Sequence, residues 1–173
     1  TITNRFNEAG TYRLMVEELN RQGGSGFAYR LEVKPQPPGF DLSVESDKFE
    51  AAAGGTFDIK VDCARRGYEG AITLSLGGAG DGFILSDNII PSKTNAVSIK
   101  VSVPSDILPG RLIHLTILGR AQIEDAETES QASTLPAIRK LFPQMLYPPL
   151  ELDGLIALGV KPGRNPEPAA GVK

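Results

Sequence analysis

The chain has 173 residues, 40% hydrophobic and 23% charged, a balance that can bury a real core. Its net charge of −3 gives no electrostatic footprint for nucleic acid. No apolar run reaches the ~18 residues that would cross a bilayer, so neither nucleic-acid binding nor membrane insertion is expected. One Cys rules out an intrachain disulfide, and no N-x-[ST] sequon is present.

The sequence opens on Thr1 and runs almost directly into a strand pattern, which reads as a piece of a longer chain, with any signal peptide outside it. Residues 11–19 (TYRLMVEEL) alternate, with Tyr12, Leu14 and Val16 on one face. After the loop NRQGGSG (20–26), residues 27–34 (FAYRLEVK) alternate more cleanly, setting Phe27, Tyr29, Leu31 and Val33 opposite Ala28, Arg30, Glu32 and Lys34. Period two with one apolar face is the mark of a half-buried strand, so the two segments are expected to form an antiparallel hairpin. PQPPG (35–39) then stiffens the chain and removes backbone donors. It is the clearest boundary in the sequence.

Strand patterns recur beyond it. Phe40, Leu42 and Val44 share a face in residues 40–46, as do Phe57, Ile59, Val61 and Cys63 in 56–63. Ile72, Leu74 and Leu76 follow in 70–76, then FIL (83–85) and the pair Ile89 and Ile90. Val97, Ile99, Val101 and Val103 line one face of 96–103. RLIHLTIL (111–118) is apolar on both faces, as a central strand would be. Residues 122–123 and 128–133 read as a last hairpin across EDAE (124–127). About seven short strands in about 95 residues predict an all-β fold, an immunoglobulin-like Greek-key β-sandwich with an N-terminal β-hairpin from a preceding module.

The last stretch changes character. Ile138, Leu141, Phe142 and Met145 fall at helical spacing before and after Pro143, so residues 134–146 suit a short helix or an extended strap. Residues 150–160 look like the first strand of a following domain, and 161–173 like a linker. The expected division is 1–36, the last strands of a preceding β-domain; 37–134, the sandwich; and 135–173, a linker with a new strand.

The segments GTYRLMV (10–16) and FAYRLEV (27–33) are similar to the end of the bacterial pre-peptidase C-terminal domain, a small β-sandwich appended to secreted proteins. FDLSV (40–44), RGYEGAITL (66–74) and ILGRAQI (117–123) resemble the immunoglobulin-like domains that follow such modules in large bacterial surface proteins. The resemblance spans residues 9–123 at the level of pattern. It implies export to an extracellular, cell-surface or periplasmic location and a modular parent whose other domains are the natural partners. It brings no catalytic residues.

Candidate sites are few. His114 is the only histidine, and no nucleophile with an orienting acid accompanies it. Cys63 continues an inward face and reads as a small buried hydrophobe. The loop GGAGDG (77–82) is followed by a strand pattern rather than the helix a phosphate cradle needs. Asp81, Asp87 and Asn88, and Glu124, Asp125 and Glu127, crowd two turns without a calcium-loop frame. No catalytic set, cofactor or metal is expected. The best ligand candidate is Tyr68 flanked by Arg65 and Arg66, either a platform for a polysaccharide or surface protein or a plug at the sandwich end. The plug is the commoner use.

Overall fold

The computed structural model describes residues 4, 6–145 and 147–162. The chain divides into two compact units, Thr1–Pro35 and Gln36–Lys173, and the division falls in the proline-rich joint.

The first unit does not contain the expected hairpin. Residues 11–34 carry no strand, and the alternating apolar residues stay exposed, Tyr29 at 74% and Val33 at 78%. What order it has is local. The Glu18 carboxylate accepts from the backbone N–H groups of Asn20 (2.7 Å) and Gln22 (3.0 Å), and Tyr12 donates to the Glu8 carbonyl at 2.6 Å. Alternation marks which face a strand would bury. A lone two-stranded ribbon with nothing over that face is marginal in water.

The second unit is an all-β sandwich of two sheets. Its strands are β1 (Gly39–Val44), β2 (Lys48–Ala52), β3 (Thr56–Arg66), β4 (Ile72–Gly77), β5 (Ile84–Ser86), β6 (Ile89–Ile90), β7 (Ala96–Ser102), β8 (Leu112–Ile123), β9 (Ala126–Gln131) and β10 (Ile156–Lys161). One sheet has the order β1-β3-β7-β5. The other has the order β2-β10-β8-β4-β6, with β9 on β8. The core forms where period-two faces meet: Phe40, Leu42 and Val44 from β1, Ile59, Val61 and Cys63 from β3, Ile72 and Leu74 from β4, Ile99 and Val101 from β7. Phe57 and Leu76, near the strand ends, are only half buried against it.

Strand β8 unites two stretches expected to be separate. It pairs with β4 along one side, and on the other with β10 at residues 112–115 and β9 at 118–123. The hairpin to β9 needs only Glu124 and Asp125, with Glu124 in the left-handed region at φ 54°. Beyond β9 the chain changes sheets. Ser133 leaves β8 and bonds to β1, its N–H donating to the Leu42 carbonyl (2.8 Å) and its carbonyl accepting from Val44 (3.0 Å).

Of the two readings open for residues 134–146, the short helix forms, over Leu135–Leu141 (α1), and Pro143 lies just past its end, where proline cannot continue a helix. Of its apolar residues Ile138 is buried, whereas Leu141 and Phe142 face solvent.

The strand expected near residue 150 does not start a following domain. It is β10, which runs antiparallel to β8 and parallel to β2 inside the sandwich. Ile156 and Leu158 are fully buried in the common core. The core demands it, because without β10 residues 112–115 of β8 on one side and all of β2 would lose their ladders. A polar knot fixes its return. Ser133 Oγ donates to Asp153 Oδ1 at 2.6 Å, as does the Thr134 N–H at 3.1 Å. Thr134, 0% exposed, donates from Oγ1 to the Leu152 carbonyl and accepts from the Gly154 N–H. Of the linker expected over 161–173, residues 163–173 lie outside the described residues.

Candidate functional site

The candidate trio Arg65, Arg66 and Tyr68 sits where β3 runs off the end of the sandwich. Gly67, at φ 74°, turns the chain so that the Tyr68 ring folds back over the core end. There it meets Phe40 with ring centroids 6.2 Å apart, and its hydroxyl donates to the Ala71 carbonyl at 2.9 Å. The ring lies so close to Gly70 that a Cβ there would collide with the Tyr68 hydroxyl and with Cζ at 2.5 Å. The glycine is therefore part of the plug.

Arg65 reaches across the same end as a clamp. Its guanidinium donates to the carbonyls of Thr94 (3.0 Å), Tyr68 (3.2 Å), Gly70 (2.8 Å) and Pro91 (2.8 Å). One planar group thus joins the β3–β4 and β6–β7 connections, a use suited to Arg's fixed fork of donors. Arg66 pairs with Asp41 through two bonds, 2.7 and 3.1 Å. The Asp41 side chain is 63% exposed and that of Arg66 30%, so solvent screens the pair in part and its energetic weight is modest. All three side chains thus have partners inside the protein, and the Tyr68 ring packs at a tilt against Phe40 rather than standing free as a platform for a sugar.

Cys63 lies two residues before Arg65 in β3, buried at 5% exposure and free. Burial pushes its thiol pKa up, against a smaller opposing pull from Arg65, which is the reverse of what a nucleophilic thiol requires. Alkylation of Cys63 by iodoacetamide at neutral pH should therefore be slower in the native protein than in urea by about tenfold or more. The raised pKa also fixes the sign of a pH effect. The unfolded thiol ionises at its ordinary value while the folded one keeps its proton, so this contribution to stability is whole at neutral pH and shrinks as pH rises through the alkaline range. Urea midpoints at neutral and alkaline pH, in the wild type and in Cys63→Ala, should show the decline reduced in the variant.

The remaining candidates are dispersed. His114 is exposed on the outer face of β8, opposite Ala157. The Gly-rich loop links β4 to β5, with Gly78 and Gly82 at φ 73° and 90°, and no helix follows it. Asn88 holds β4 through its side chain, donating to the Leu74 carbonyl at 3.0 Å. Glu127 and Glu129 face Arg120 across the β8–β9 pair. Among the described residues no group of three or more His, Cys, Asp or Glu side chains gathers into a metal-sized site, and no helix is long and apolar enough to cross a membrane.

One surface feature was not singled out in the sequence. At the end of α1 and in the connection to β10, Leu141, Phe142, Tyr147 and Leu150 are all exposed, Tyr147 at 90%. The signal was present in LFPQMLYPPL (141–150), where Pro143, Pro148 and Pro149 interrupt a run of apolar residues. No protein-family model matches the chain, and no curated protein matches it in sequence.

Proposed function

We propose that the chain is a non-catalytic spacer or adhesion-type module of a larger extracellular bacterial protein. In this reading an immunoglobulin-like Greek-key sandwich follows the end of a pre-peptidase C-terminal-like domain, and the partners are other domains of the same parent. The observation that carries it is where the chain enters and leaves the sandwich. Strand β1 begins at Gly39, beside Arg66 at the far end of β3. Strand β10 finishes at Lys161, beside Ala52, at the turn that starts β3. The two points lie at opposite ends of an 11-residue strand, about 35 Å apart at the usual strand rise. A domain threaded from end to end extends a chain, whereas one with adjacent termini decorates it. The internal bonding of Arg65, Arg66 and Tyr68 supports the same reading.

The test is a thermal melt of the full chain with and without Ca²⁺ and across a panel of polysaccharides. A ligand held by the folded state alone at one hundred times its Kd adds about 2.7 kcal/mol, a shift easily seen. The spacer reading expects a flat panel. A shift with one glycan that Tyr68→Ala removes would overturn it.

A second reading, a protein-binding module accessory to a secreted hydrolase, draws on the exposed row Leu141, Phe142, Tyr147 and Leu150. These four large apolar side chains are exposed within ten residues of sequence, and exposed apolar surface is what such a contact would use.

A further inference from the structure

The chain contains a strand pattern with no sheet and a sheet edge with no strand, and we propose that the two meet between copies: residues 27–34 of one molecule add as a strand to the open edge of β7 in another.

The open edge follows from a change of sheets. Strand β5 pairs with β7 only at residues 100–102. At Asp87, φ 57°, the chain turns away, and β6 pairs with β4 in the opposite sheet. Residues 96–99 of β7 are left with β3 on one side alone. The Cys63 N–H donates to the Asn95 carbonyl, so in this antiparallel ladder Asn95, Val97 and Ile99 direct their backbone groups at β3. By alternation Ala96 and Ser98 direct theirs outward, to the uncovered side. Beside them lies a notch of about 390 Å³ lined by Asp87, Asn88, Ile89, Pro91 and Val97, with Ile89 52% exposed. Backbone donors and acceptors next to an apolar groove are what an added strand uses.

The edges of β1, β2 and β9 are guarded. Ser133 occupies the edge of β1. Strand β2 carries Lys48 and Glu50, the latter paired with Lys161, and β9 carries Glu127 and Glu129; charges on an edge discourage pairing. The occupant is argued from the first unit. Residues 27–34 alternate strictly, lack any ladder, and expose Phe27, Tyr29, Leu31 and Val33. Laid along β7, that row would turn into the notch while Arg30 and Glu32 stayed in water. The four residues of open edge, about 13 Å long, make a small interface and hence a weak, concentration-dependent association.

Sedimentation velocity of the full chain over a wide concentration range tests this. The expected result is a sedimentation coefficient that rises with concentration, and a rise that is lost in Ser98→Pro. Proline there removes an N–H that the β3 ladder does not use. Leu31→Glu, in a residue outside the sandwich core, should abolish the rise as well, and it decides the matter if Ser98→Pro fails to fold. A wild type that sediments as a monomer throughout, or a rise that survives Leu31→Glu, would overturn the proposal.

Discussion

Replacing Leu158 with Ala is expected to lower the unfolding free energy by about 3 kcal/mol. Leu158 is 0% exposed, between Ile113 of β8 and Phe49 of β2 in the ladder. Removing its isobutyl group opens a cavity at the junction of two strands that come from distant parts of the chain. Phe49 and Phe57, with ring centroids 5.3 Å apart, are half buried against the same core. A urea titration reads the effect as a lower midpoint at unchanged slope. A near-neutral result would mean that β10 is not part of the folded sandwich, and the end-to-end threading proposed for the domain would fall with it.

The second large effect is expected at Arg65. In Arg65→Met the aliphatic stem is kept and the donors are lost, leaving the carbonyls of Thr94, Tyr68, Gly70 and Pro91 without their partner. Hydrogen bonds from a charged donor contribute about 1.5–3 kcal/mol each when well made. This group is partly open to water, which can replace some of them, so a total loss of about 3 kcal/mol is expected. Arg66→Met is the control. Its partly screened pair with Asp41 should cost about 1 kcal/mol or less. Equal losses at the two positions would show that Arg65 is not a clamp.

The sandwich itself was legible because its strands obey period two. Leu42 and Val44, Ile59 and Val61, Ile99 and Val101 are buried on the faces that alternation assigns them. Strand β2 was not, since KFEAA offers only Phe49 and Ala51 as a pattern. The membership of β10 was hidden for a different reason. Periodicity points to a strand within residues 150–160, but it does not say that the strand returns to lie between β2 and β8. That choice is made by the polar knot at Ser133, Thr134 and Asp153, whose small polar residues look like loop chemistry in sequence. Residues 11–34 show the converse, a clean alternation without a partner. At the site, Tyr68 was legible as a plug because an aromatic in a Gly-flanked turn has the core end within reach. The clamp made by Arg65 was not legible, because backbone carbonyl acceptors leave no trace in the side-chain sequence.

The threading of the sandwich also decides how it meets a pull. Tension between Gly39 and Lys161 runs along the strands. Strand β10 cannot be peeled away residue by residue, because it lies between β2 and β8 and would have to slide past both, breaking their hydrogen bonds together. The same holds for β1, drawn lengthwise against its six paired positions on β3. Resistance to force is governed by the unfolding rate rather than by equilibrium stability. A domain loaded in shear at both ends is therefore built to hold under strain even where its free energy of folding is ordinary.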